Sequence, residues 1–405
     1  MPRPKSIIIW ITIAVVLAGA FTPAIPACAA PLNSQPGQTA VDSGGKGLLN
    51  ILLDLLLGTL LNKLAPGLGD KIAEAPPGTT AAPASAKEVL GFYAEWWDTD
   101  TSSYTSMARH VDSLNAIVPF WATVRPDGSV SDRGGKDHAS VANFARQSNL
   151  SALLLVNNAG QSGSVSGIHA VLADPGLRAT AIENLEAVLR KYRLDGINID
   201  FETVQPEDRD DLTAFMRELS ARLKPQGYVV SIDVMPKTDE SSDIAAAYDY
   251  GRLADYADKI IVMTYDNHGQ WSAPGPVAGI DWTENSLKYA LKYIPKSKLY
   301  LGLAGYGYDW SANNVASVDY PEVVQLAGRY NAAVQWDNTV KSNYFRYTGD
   351  DGTSHTVWYE NSQSLKYKLD LVNSYDIAGV ALWKLGEEDP DDWQLIKDKL
   401  KKNNR

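Results

Sequence analysis

From residue 88 onward the chain beats between short apolar runs and longer amphipathic stretches, and this rhythm constrains its fold more than any other feature. The runs fall at 88–93, 114–121, 152–157, 195–201, 229–235, 259–265, 299–304 and 378–383. Most are continuous and rich in β-branched or aromatic residues, as strands buried on both faces are. Helical patterns lie between them, at 174–192, 206–223 and 286–293 among others. Eight strands with intervening helices over residues 88–400 fit the α/β class and, within it, a (β/α)8 TIM barrel. A doubly wound sheet would want a glycine-rich phosphate loop after its first strand, and GFYAEWW provides none. The seventh unit is too long for a simple crossover. Residues 308–362 include the alternating segments SNYFRYT and HTVWYE, parted by Gly-Asp-Asp-Gly, which is a hairpin pattern. We expect a small antiparallel insertion there, between the seventh strand and its helix, on the rim where loops carry function. GLAGYGYDW at 302–310 lacks the spacing of a dinucleotide loop and reads as a strand end and turn.

The N-terminal part obeys other rules. Arg3 and Lys5 precede an apolar run at 7–21 and then Ala27-Cys28-Ala29, the layout of a secretory signal peptide over residues 1–30. Cys28 is the single cysteine, so a disulfide framework and a cysteine-rich zinc site are excluded. Cleavage before Cys28 is the rival, leaving it for lipid attachment, although Pro26 counts against a lipobox. Residues 31–87 read as a flexible linker rich in Pro, Gly, Ala, Ser and Thr. Within it lies LLNILLDLLLGTLLNKL, residues 48–64. On a helix, Asn50, Asp54, Gly58 and Asn62 would form one narrow polar stripe on an otherwise leucine surface. Such a helix is expected to engage a membrane surface, another copy of itself, or a groove on its own domain. A secreted or cell-envelope-associated bacterial protein is the expectation. With 48 acidic and 37 basic residues the formal charge is −11, which argues against a nucleic-acid partner held by a basic surface. The five histidines, at 110, 138, 169, 268 and 355, show no metal-ligand spacing; no metal and no cofactor is expected.

The chemistry concentrates in Leu194-Asp195-Gly196-Ile197-Asn198-Ile199-Asp200-Phe201-Glu202. Alternate side chains on a strand share a face, so Asn198, Asp200 and Glu202 point into the barrel while Ile197, Ile199 and Phe201 point to the helices. Three polar groups stacked inside a barrel and ending at a strand's C-terminal tip are costly unless paired or functional. A buried carboxyl beside another can keep its proton near neutral pH and act as a general acid. Asp195 has the opposite parity and suits a turn or a cap. Asp233, inward with Ser231 and Met235 on the fifth strand, can pair with polar groups of the cleft.

DGINIDFE resembles the D-x-x-D-x-D-x-E pattern of glycoside hydrolase family 18, the chitinase-like family. GFYAEWW on the first strand, Met263-Thr264-Tyr265-Asp266 on the sixth and Trp383 at the end of the last agree in chain order. YGYDW, VWYE and ALWKLGEEDP resemble the bacterial branch that includes spore-cortex and cell-wall lytic N-acetylglucosaminidases. The resemblance covers about residues 88–400. It implies a retaining glycosidase in which the substrate's own N-acetyl oxygen is the nucleophile. By the same resemblance Glu202 is the proton donor, Asp200 orients the acetamido N–H, and Tyr265 bonds the acetamido oxygen. Trp383 is implied as the floor under the sugar and Tyr93 as a wall; Asn198, Met263 and Asp266 are further expected to line the substrate. The implied partner is a polysaccharide containing N-acetylglucosamine, either peptidoglycan or a chitin-type glycan.

One position departs from the pattern: the middle Asp is Asn198 here. Asn198 is expected to hydrogen-bond Asp200 without sharing its charge, leaving Asp200 ionised to lower pH, and Asn198→Asp to move the pH–rate profile more than binding. Trp96, Trp97, Trp271 and Trp310 suit either a cleft or ordinary packing. Glu360 is expected to support the cleft from the insertion. The acidic run Glu387-Glu388-Asp389 suits a solvated turn. The alternative to an enzyme is a chitinase-like lectin, a fate marked by loss of the acid glutamate, and Glu202 is retained.

Overall fold

The computed structural model describes residues 86–401 except 98, 133–136, 159–165, 241–242 and 313. The expected signal peptide at 1–30, and the linker as far as residue 85 with its apolar segment at 48–64, lie outside the described residues. The strands are β1 (Glu88–Tyr93), β2 (Ala116–Val124), β3 (Val130–Asp132), β4 (Ser151–Asn157), β5 (Gly196–Asp200), β6 (Val229–Val234), β7 (Lys259–Val262) and β8 (Leu299–Ala304). After them come β9 (Tyr306–Trp310), β10 (Val315–Asp319), β11 (Gln335–Asp337), β12 (Ser342–Thr348), β13 (Ser354–Tyr359) and β14 (Gly379–Trp383). Parallel neighbours run β1-β14-β8-β7-β6-β5-β4-β2, and β2 pairs back onto β1 to close an eight-stranded TIM barrel. β3 is a short antiparallel addition to β2.

Side-chain parity divides the core into two layers. Ile197, Ile199 and Phe201 point outward and pack with Leu185, Leu212 and Phe215 of the helices. Leu90, Phe92, Val118, Phe120, Leu155, Ile261 and Ala381 fill the barrel interior. Gly196 opens β5 where an added Cβ would lie 2.3 Å from the Val229 carbonyl oxygen. Only glycine allows that approach, and it admits the register that pairs Gly196 with Val229 and Ile199 with Ile232. At the lower end, Lys259 donates to the Tyr300 hydroxyl (2.8 Å), which donates to Glu88 (2.7 Å), a polar layer that closes the barrel floor.

The helices follow the expected rhythm with local differences. Asp174 caps Pro175–Tyr192 by accepting from the N–H groups of Gly176 and Leu177. The helix expected at 286–293 spans Ile280–Ala290 instead. Its buried face includes Thr283 and Ser286, which a count of apolar residues passes over. The insertion is a second, antiparallel sheet in the order β10-β9-β13-β12-β11, with the expected hairpin as β12 and β13. It begins earlier than expected, because 306–310 is a full strand rather than a turn. Gly305 breaks from β8, and Tyr306, Tyr308 and Trp310 then alternate with Gly307 and Asp309 across the sheet.

Candidate active site

At the C-terminal end of the barrel, β5 and β6 bring a polar column inward. The Ile199–Ile232 pairing sets Asp200 beside Asp233 on adjacent strands. Asn198 is fully enclosed. Its Oδ1 accepts from Ser231 Oγ (2.7 Å), and its Nδ2 donates to Asp233 Oδ2 (2.6 Å). Asn198 is therefore engaged below the cleft, and the expectation that it bonds Asp200 and reaches substrate does not hold. Asp200 and Asp233 are buried, at 7% and 2% exposure, and each keeps an Oδ1 with no hydrogen-bond partner among the described residues. Burial, with the charges of Glu202 and Asp233 beside it, holds the Asp200 carboxyl well above the ordinary range. Burial and the neighbouring Glu202 do the same for Asp233 against the opposing Asn198 hydrogen bond. Asp200 thus does not stay ionised to lower pH as expected: the charge missing at position 198 is returned by the next strand.

Glu202 lies two residues beyond the end of β5 and retains partial exposure. Its backbone is clamped by Asn158, whose Oδ1 accepts from the Glu202 N–H (3.0 Å) while Nδ2 donates to the Glu202 carbonyl (2.8 Å). The side-chain amide stands in for a peptide and extends the β4–β5 ladder by one rung. Below it, the Tyr248 hydroxyl donates to the Phe201 carbonyl (2.6 Å). Burial and the Asp266 carboxylate push the Glu202 carboxyl up to about 7. An acid so placed is protonated in slightly acidic water and can release its proton at neutral pH, as general acid–base work requires.

β7 ends at Val262, so strand parity does not carry Tyr265 to the site. Two tight turns do, with the Thr264 N–H donating to Val262 and the Tyr265 N–H to Met263 (both 2.8 Å). Tyr265 then faces Asp233, Asp200 and Glu202, and burial beside these carboxylates raises its phenol well above the usual range. Met263 is buried behind it, its Cα 3.1 Å from where a Cβ on Gly302 would sit. Asp266 adopts a left-handed backbone (φ 59°), and its Oδ1 accepts from Tyr306 (2.5 Å) and Tyr308 (2.9 Å) of the insertion. These bonds oppose the burial that raises its carboxyl. Trp383 ends β14 against Phe92 (5.3 Å between ring centroids), Phe120 (6.0 Å) and Trp96 (6.4 Å). Among the described residues no group of three or more His, Cys, Asp or Glu side chains is placed to hold a metal ion.

The sequence model of the glycosyl hydrolases family 18 matches residues 88–388. The chain belongs to that family. A cortical fragment-lytic enzyme of Bacillus anthracis is 30% identical over 304 residues, 71% of this chain and 70% of that enzyme. The spore cortex-lytic enzyme SleL of Bacillus cereus superposes with a TM-score of 0.72 at 27% identity, covering 78% of this chain and 74% of that one. A chitinase of Chromobacterium violaceum gives 0.71 at 30% identity, covering 78% of this chain and all of its own (100%). The family 18 chain is a glycosidase.

Not every expected residue of this family 18 enzyme meets at the cleft. Glu202, Asp200, Tyr265, Asp266 and Trp383 converge on the C-terminal end. Tyr93 does not: it is 1% exposed, lies in the outer layer against Trp121, and donates to Glu95 (2.9 Å). Phe92, of opposite parity, faces inward in its place. Trp310 is buried with its indole N–H on the carbonyls of Gly269 and Ser272, whereas Trp96, Trp97 and Trp271 are exposed on rim loops. Glu360 forms a buried pair with Lys368 (2.6 Å), supporting the insertion rather than the cleft. Glu388 and Asp389 are buried too, not a solvated turn; Glu388 accepts from the Trp393 indole (2.8 Å). Asn158 and Tyr248 were missed, because an asparagine and a tyrosine outside any motif carry no sequence signal of what they hold.

Proposed function

We propose that the protein is a secreted or envelope-bound retaining glycosidase that cleaves β-linked N-acetylglucosamine with help from the substrate's own acetamido group. One observation carries this: Glu202 stands just beyond the tip of β5 with its carboxyl pushed up to about 7, two residues after the buried Asp200. Glu202 gives its proton to the glycosidic oxygen as the C1–O bond breaks, and the acetamido carbonyl oxygen closes on C1. Asp200 accepts from the acetamido N–H and balances the oxazolinium charge, while the Tyr265 hydroxyl donates to the acetamido oxygen. Glu202, now ionised, then takes a proton from the water that opens the ring, so the configuration at C1 is retained. Trp383 offers its face to the C–H side of the sugar. Of the two glycans, peptidoglycan is favoured by the likeness to cortical fragment-lytic and spore cortex-lytic enzymes, and a chitin-type glycan by the likeness to a chitinase.

The test is cleavage by the full chain and its Glu202→Gln variant on chito-oligosaccharides and purified peptidoglycan side by side. Fragments from one glycan, absent with the variant and with the anomeric configuration kept, are the expected result. Intact glycans that nonetheless bind would overturn the hydrolytic reading in favour of a lectin.

A further inference from the structure

Resting on the roles proposed above for Glu202 and Asp200, we infer that Asp233 is a positioning residue of the site: with Asp200 it forms a carboxyl pair, built across two strands, that holds one proton. The middle position of the acidic motif cannot do this, because Asn198 has no proton to share. The register nonetheless places Asp233 beside Asp200 on the neighbouring strand. Asn198 fixes the orientation of Asp233, its amide locked by Ser231 on one side and donating to Asp233 Oδ2 on the other. That leaves each carboxyl of the pair with one buried oxygen, Asp200 Oδ1 and Asp233 Oδ1, that has no partner among the described residues. Two adjacent buried carboxylates cannot both stay ionised without a cation, and a single shared proton supplies the missing donor for both orphan oxygens.

Among the described residues, the titratable groups facing Asp233 are neutral or acidic. Asp200 and Glu202 lie on and after β5, Tyr265 follows β7, and Tyr248 lies beyond β6. None of them brings a positive charge. The pair makes the charge on Asp200 movable. In the resting site the proton lies between the two carboxyls. As positive charge grows on the oxazolinium, the proton passes from Asp200 to Asp233 and the full negative charge stays on Asp200; one O–H bond breaks, one forms, and nothing leaves the site. Stabilisation that appears only as the cation forms raises turnover rather than ground-state binding.

Infrared difference spectra of the full chain, without substrate, decide whether the pair exists. At neutral pH, where Glu202 also keeps part of its proton, wild type should show a protonated-carboxyl band that is assigned to the pair by its loss in Asp233→Asn and equally in Asp200→Asn. The double variant Asn198→Asp/Asp233→Asn, which returns the second carboxyl to β5, should recover it. Retention of the band in Asp200→Asn would mean that Asp233 holds its proton alone and would overturn the pair; that arm decides even where Asp233→Asn does not fold. Because no glycan is used, a wrong substrate assignment would leave this result untouched. On whichever glycan wild type cleaves, Asp233→Asn should lower kcat and KM together, since its Asp200 is ionised before the cation forms. A raised KM with a lowered kcat would mark a packing role and overturn the positioning one.

Discussion

The position of the Glu202 ionisation has a consequence for stability that needs no substrate. Its carboxyl titrates near 4.5 when freely solvated and at about 7 in the folded protein. At about 1.4 kcal/mol per pH unit, that displacement corresponds to about 3 kcal/mol. The direction follows from linkage. Below the unfolded value both states carry the proton and nothing is lost. As pH rises through the folded value the native state must give up a proton it holds more tightly than the unfolded chain does, so stability falls. Glu202→Gln keeps the shape and removes the ionisation. The variant should therefore match wild type near pH 4 and exceed it by up to about 3 kcal/mol at pH 8, a gain of roughly 5 °C in melting temperature for a domain of this size. Urea unfolding and thermal scans at the two pH values measure it. Equal stability at pH 8 would refute the idea that the acid is held in a desolvated, anionic setting, and with it the explanation of why it keeps a proton near neutrality.

Other expectations follow from the same contacts. Asp266 is the charge that adds to burial at Glu202, so Asp266→Asn should move the basic limb of the kcat/KM profile to lower pH; an unmoved limb in a pH–rate series would exclude the coupling. Asn158→Ala removes both bonds to the Glu202 backbone and should lower kcat by about 10- to 100-fold with KM little changed, read from initial rates. Lys368→Met leaves Glu360 buried and unpaired and should cost about 3–5 kcal/mol in denaturant unfolding, with activity per folded molecule preserved. Deleting residues 48–64 should release the protein from a membrane fraction without loss of soluble activity, and persistent sedimentation with membranes would disprove that role for the segment.

Much of this fold was legible because continuous apolar runs and amphipathic stretches alternate, as parallel strands covered on both faces require, and because GFYAEWW lacks the phosphate loop of a doubly wound sheet. The site was legible where polarity and parity coincide: Asn198, Asp200 and Glu202 are conspicuous because their strand is otherwise apolar. Where both faces are apolar, parity is silent. In GFY nothing states that Phe92 faces inward and Tyr93 outward, and Tyr93 was accordingly expected on the wrong side. The strand at 306–310 shows the opposite lapse, since the alternation of aromatic residues with Gly307 and Asp309 was present but adjoined a glycine that suggested a turn.

By itself the sequence determined the barrel, the strand that carries the acid, and the order of residues along it, since each follows from local periodicity and from chemistry that neighbouring residues display. Only the tertiary structure decided what stands beside that strand. Gly196 lets β5 approach β6 in the one register that sets Asp233 against Asp200, and closure of the sheet brings Asn158, Tyr248 and the insertion's Tyr306 and Tyr308 to the same end. Those partners come from separate segments of the chain. Electrostatic coupling depends on distance through space, which one-dimensional spacing does not encode.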